Sequence, residues 1–206
     1  NILTRGSVAD INGGYTQPSD VIMSSYSSWG PVDDGRIKPD IVANGSGLYS
    51  TDNGHDADYT TLSGTSMASP NAAGSMIPLQ ELYEDLNGSG NYMRAASLKA
   101  VVIHTADEAG DKPGPDYEFG WGLLNTKKAA DLISEDPTLN TLEEITLANN
   151  SSYQRTVKAL GGEPLKVTIA WTDVPGSPVA ASLDPTDAML VNDLDLRLTE
   201  STNTYY

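Results

Sequence analysis

The 206 residues hold 38% hydrophobic side chains, enough for one substantial core or for one domain plus part of a second. Their 12 Lys and Arg stand against 28 Asp and Glu, a formal charge of −16, so neither a nucleic-acid nor a membrane partner is expected. Cysteine is absent, which excludes disulfides and thiolate metal sites, and no apolar run approaches the ~20 residues of a membrane span.

Ile2 to Val8 reads as a short strand, followed by the turn-rich NGGYTQPSD. In SSYSSWGPVDDGRIKPDIVANG, Gly30-Pro31 and Asp34-Gly35 punctuate a loop, and Ile37, Ile41 and Val42 supply a buried extended segment. Pro39 argues against a central strand there. From Thr65 onward Met67, Ala68, Ala72, Ala73, Met76, Ile77, Leu79 and Leu82 recur at helical spacing, with small residues on the early turns. Further helices are predicted over Ala95–Thr105 and, after the glycine-rich FGWGLLN, over Thr126–Ser134. Helices mixed with short apolar strands predict an α/β layer architecture. Beyond SEDPTLNTLEE the period changes to two: Leu165, Val167, Ile169 and Trp171 alternate with polar residues, as do Leu194, Leu196 and Leu198. The proline-rich DVPGSPVAASLDPTDAML between them reads as a surface loop.

Ser66, in SGTSMASP, falls at the start of the small-residue helix, where unpaired backbone N–H groups and the positive end of the helix dipole gather. A serine there can cap the helix, or it can attack a carbonyl whose developing oxyanion meets donors already aimed at it. The neighbouring letters decide between the two. GTSMASP with Ala72-Ala73-Gly74 resembles the serine motif of the subtilisin-like proteases, and SSYSSWGPVDDGRIKPDIVANG resembles the segment preceding it in that family. FGWGLLN resembles the closing part of their catalytic domain. LKVTIAWTDVPGSP and LVNDLDLRLT look like the C-terminal β-domain of the calcium-binding, alkaline-protease branch.

The resemblance implies a doubly wound, mainly parallel α/β catalytic domain, its C-terminal part over residues 1–135, and an incomplete β-sandwich or jelly-roll domain over 136–206. It implies a serine endopeptidase acting on protein or peptide substrates, with Ser66 as nucleophile and the Ser66 N–H and Thr65 in the oxyanion hole. It further implies a secreted, extracellular protein. The Asp, His and oxyanion Asn of the family belong upstream of this segment, and only 65 residues precede Ser66. His55 reads as a solvated loop residue, His104 as a structural residue of an apolar helix, and Asn1 lies outside any oxyanion motif. Losing the base of such a triad costs on the order of 10⁶ in rate, so the chain by itself is expected to be inactive. A separate N-terminal fragment carrying Asp and His would complete it. The alternative is a non-catalytic, degenerate protease or binding module, to which Arg5 lends weight because the family usually has an apolar residue at that position.

Asp193 and Asp195 share a strand face and, by the resemblance, are candidate calcium ligands, the alternative being a solvent-facing polar stripe. Asp33, Asp34 and Asp40 are expected to anchor turns and backbone, and Trp121 and Trp171 to be core aromatics.

Overall fold

The computed structural model describes residues 3–135, 141–159, 161–162, 164–200 and 202–205. Its first strand, β1 (Arg5–Val8), pairs in parallel with β2 (Ile41–Asn44), Arg5 opposite Ile41 and Val8 opposite Asn44. Pro39 does not keep the chain out of the sheet. It lies two residues before the ladder, where its missing N–H is not needed, and β2 is flanked on its second side by a parallel bridge from Val42 to Leu123. Contrary to the sequence-based expectation, β2 is therefore an interior strand.

Two apolar layers cover this sheet. Helix α1 (Thr65–Asn87), α2 (Ala95–Thr105) and α3 (Thr126–Ser134) fall where the periodicity places them. They pack Ala68, Ala72, Leu79, Val101, Val102, Ile103 and Ala129 against Ile41 and Ala43. On the other side Val8 and Val42 meet Val21, Ala109 and Phe119. Alanines at 68 and 72, both fully buried, let the helix approach the strands closely. This is the expected α/β arrangement.

Two carboxylates tie the layers together. Asp40, 5% exposed, accepts from the Thr4 N–H at 2.6 Å, Thr4 Oγ1 at 2.8 Å, Lys38 Nζ at 2.7 Å and Lys99 Nζ at 3.1 Å. Asp107, also 5% exposed, accepts from Asn125 Nδ2 at 2.7 Å and pairs with Lys128. Asn125 in turn caps α3 by accepting from the Lys128 N–H. The glycines of FGWGLLN follow from the same crowding: a Cβ on Gly120 would lie 2.6 Å from the Asp40 carbonyl oxygen.

A hairpin absent from the sequence reading, β3 (Leu48–Thr51) with β4 (Tyr59–Leu62), stacks Tyr49 on Tyr59 with ring centroids 5.3 Å apart. Past α3, the expected boundary at 135/136 abuts residues 136–140, outside the described part. The alternating stretch 165–171 forms no ladder among the described residues, and its apolar Leu165, Val167 and Ile169 are exposed while Thr168 and Ala170 turn inward. Among the described residues, pairing here is confined to β5 (Leu198–Glu200) and β6 (Asn203–Tyr205). Period-two patterning defines which faces a segment presents, but a strand also needs a neighbour to receive its N–H and C=O groups.

Candidate active site

β4 runs through Ser63 and Gly64 directly into α1, so Ser66 is the second residue of a 23-residue helix. The turn is fixed from below. The Gly64 N–H donates to the Gly45 carbonyl at 2.8 Å, and the Gly64 carbonyl accepts from the Met67 and Ala68 N–H groups at 2.9 and 3.3 Å. Gly45, just past β2, must be glycine. A Cβ there would lie 2.6 Å from the Gly64 carbonyl oxygen and 3.0 Å from the Ala68 side chain. The close approach sets the Ser66 turn against the carboxyl end of the parallel strands.

Thr65 and Ser66 are exposed, and their backbone N–H groups have no partner among the described residues. Two free donors at the positive end of a long helix, beside an exposed hydroxyl, form a place where a negative oxygen is stabilised. Pro70, inside α1, has no N–H to give the Ser66 carbonyl four residues earlier.

The two histidines are not brought to Ser66. His55 lies at the exposed tip of the β3–β4 hairpin with Nδ1 2.9 Å from Asp58 Oδ2, and the length of β4, roughly 13 Å of extended chain, separates it from the turn. His104 ends α2 with Nδ1 2.9 Å from Thr168 Oγ1; burial first, then the Lys166 ammonium, holds its pKa below the ordinary value. Asn1 lies outside the described residues.

Arg5 faces α1, where its Nη1 donates to Ser69 Oγ at 3.1 Å, one turn along from Ser66. Its Nε is buried with no partner among the described residues. A cavity of about 230 Å³, lined by Asp10, Asn44, Asn71, Ser75 and Thr126 among others, lies farther along α1 and does not include Ser66.

Asp34 and Asp40 behave as structural residues: Asp34 pairs with Arg36 at 2.6 Å, and Asp40 anchors the Thr4 backbone, while Asp33 is exposed. Trp121 is a correction, since it is 43% exposed and contributes its backbone N–H to the Asp40 carbonyl. Asp193 and Asp195 are exposed, and Asp195 Oδ2 faces Arg197 at 3.3 Å. No group of three or more potential metal ligands gathers among the described residues. Two carboxylates provide a minority of the six to eight oxygens calcium takes, so carbonyls and water would have to supply the rest.

The sequence reading missed what surrounds the Ser66 turn. Tyr26, Ser46 and Ser63 converge there, Ser63 Oγ accepting from the Gly47 N–H at 2.8 Å. A run of serines around one tyrosine carries no periodic signal that could have singled them out.

A serine at a helix N-terminus, docked on the carboxyl edge of a parallel sheet, is an arrangement suited to nucleophilic acyl transfer. The chain belongs to the subtilase family, whose model matches residues 11–122, more than half of its length. It is 32% identical over 153 residues to the PII-type proteinase of Lacticaseibacillus paracasei, covering 66% of this chain and 8% of that protein. Over 116 residues it is 37% identical to the C5a peptidase of Streptococcus pyogenes, covering 52% of this chain and 10% of that protein. Among solved structures it resembles the CspB protease of Clostridium perfringens, with a TM-score of 0.52 and 26% identity over 64% of this chain and 26% of that one. The chain thus spans a small fraction of the length of these relatives. Among the described residues no helix is long and apolar enough to cross a membrane.

Proposed function

We propose that the chain carries the nucleophile-bearing part of a subtilisin-type serine endopeptidase. The observation that supports this best is Ser66 itself, an exposed hydroxyl in the first turn of α1 beside two free backbone donors. In the assembled enzyme Ser66 Oγ attacks the scissile carbonyl of a protein or peptide, and the Ser66 N–H, with Thr65, stabilises the oxyanion. The proton of Ser66 passes to a His oriented by an Asp, and a further Asn completes the hole. Neither His55 nor His104 fills the role of base, because each is engaged elsewhere. The catalytic Asp, His and Asn therefore come from a segment outside these 206 residues, and these residues alone are inactive.

The reading extends to a secreted enzyme, to a division into a catalytic part over 1–135 and a jelly-roll part over 136–206, and to structural calcium at Asp193 and Asp195. Calorimetric titration with calcium, compared between the wild type and a D193N/D195N variant, checks the last: heat of binding lost in the variant supports it, and equal heats overturn it. The unpaired Arg5 Nε favours the second reading, a degenerate relative that keeps the serine motif as scaffold. The deciding experiment assays cleavage of a peptide library by the chain alone and by the chain supplied with a subtilase N-terminal segment bearing Asp, His and Asn. Turnover only in the mixture, lost in Ser66→Ala, supports the protease reading. Turnover indifferent to Ser66→Ala, or absent from a mixture shown to assemble, refutes it.

A further inference from the structure

Tyr26 is an unusual residue in its setting: it is 47% exposed, yet its hydroxyl meets β1 at Ser7 and the loop after β2 at Gly45 and Ser46. The phenol oxygen is 3.1 Å from the Gly45 carbonyl, 2.7 Å from Ser46 Oγ and 3.1 Å from Ser7 Oγ. Ser7, fully buried in β1, is 3.2 Å from Ser24 Oγ, which is 2.8 Å from Ser46 Oγ. The loop bearing Tyr26 is itself pinned to β1: the Ser7 N–H donates to Ser27 Oγ at 2.9 Å and the Ser24 N–H to the Ser7 carbonyl at 2.9 Å.

Proton directions follow from the chemistry of the groups. A carbonyl only accepts, so the single phenol proton points at Gly45, and the serine hydroxyls donate into the phenol oxygen. That pattern bears on the acidity of the phenol. Burial pushes the Tyr26 pKa up, yet hydrogen bonds from Ser24, Ser46, Ser7 and Ser63 outweigh it and leave the phenol below its ordinary value.

The Gly45 carbonyl that takes the phenol proton is the one that takes the Gly64 N–H. Gly45 has no side chain, and none would fit; the peptide plane that carries its carbonyl is held by hydrogen bonds from Gly64 and Tyr26 to that carbonyl and from the Ser46 N–H to Asn44 Oδ1 at 3.0 Å. We propose that Tyr26 is a positioning residue for Ser66: its hydroxyl fixes the Gly45 carbonyl, and through Gly64 it sets the angle at which the nucleophile turn enters α1. The proposal rests on Ser66 being the nucleophile. The half-exposed ring contributes little to the core, so the hydroxyl is the part of Tyr26 that the fold uses.

Tyr26→Phe keeps the ring and removes only the hydroxyl. The test has two readouts. In the chain itself, amide exchange followed by NMR is expected to speed up at Gly64 by about fivefold, the scale of one neutral hydrogen bond, with Val8 and Val42 unchanged. In the assembled enzyme, kcat is expected to fall by a similar factor of about five with KM unchanged, because the loss is one of nucleophile placement. Ser46→Ala, which leaves the Tyr26–Gly45 bond in place, is expected to show a smaller effect on both. Unchanged Gly64 exchange in Tyr26→Phe overturns the inference, as does a raised KM at constant kcat, which would make the residue a substrate contact. Failure of the protease reading looks different: turnover by the wild type is then insensitive to Ser66→Ala, whatever Gly64 does.

Discussion

Replacing Asp40 by Asn tests how the sheet is locked to its helices. The Asp40 side chain is 6% exposed and answers four donors, two from Thr4 and one each from Lys38 and Lys99. An amide keeps one acceptor oxygen and turns the other into a donor, so at least one lysine faces N–H instead of oxygen, and neither retains its counter-charge. Charge-assisted hydrogen bonds contribute about 1.5–3 kcal/mol each. The lysine side chains, 24% and 29% exposed, recover part of that loss from water, so a net cost of about 2–4 kcal/mol is expected.

The same carboxylate predicts a pH dependence. Burial alone would raise the Asp40 pKa, but Lys38, Thr4 and Lys99 together hold it below the ordinary carboxylate value. A group whose folded pKa lies below its unfolded value adds stability above the unfolded pKa, about 4, and loses it as pH falls through the folded one. Urea unfolding of wild type and Asp40→Asn between pH 7 and pH 3 measures both effects. The gap between the two proteins should be full at pH 7 and narrow below about pH 4. A gap under about 0.5 kcal/mol at pH 7, or one that does not narrow in acid, would refute the reasoning.

Other perturbations follow from single contacts. Leu79→Ala empties a side chain 1% exposed between α1 and the sheet and should cost about 2–5 kcal/mol by urea unfolding. Pro78→Ala, at an exposed position inside α1, restores a donor for the Gly74 carbonyl and should raise the melting temperature, with a gain of about 1 kcal/mol. His104, whose pKa burial and Lys166 depress, stays neutral in the fold at pH values where the unfolded chain already takes up a proton. Its contribution is present above pH ~6.5 and is lost in more acid solution, so an NMR titration should place its midpoint below that of a free histidine. Asn125→Ala removes the cap of α3 and a donor to Asp107, for a loss of about 1–2 kcal/mol in the same unfolding assay.

The three helices were legible because their signals are local: apolar spacing over α1 and α2, and the glycine-rich FGWGLLN ahead of α3. The turn into α1 was legible for the same reason, as Gly64, Ser66 and Ala68 sit together in the chain. What surrounds it was not. Tyr26, Ser46 and Gly45 reach the turn only through long-range contacts, and each is an ordinary loop letter by itself. β2 was misjudged because Pro39 was weighed as a strand residue, whereas the ladder begins beyond it at Ile41. Trp121 was read as core from its size, but the requirement at that position is met by its backbone N–H. The alternation from Leu165 to Trp171 is real in sequence, yet without a ladder among the described residues Leu165, Val167 and Ile169 face solvent, and Trp171 is half-buried.

The most direct measurement of the central claim is reaction of the chain, with and without a subtilase segment bearing Asp, His and Asn, with a fluorophosphonate, followed by mapping of the adduct. The account predicts a single adduct on Ser66, formed rapidly only in the assembled protein and lost in Ser66→Ala. An assembled protein that leaves Ser66 unmodified, or that carries its adduct on another residue, would contradict it.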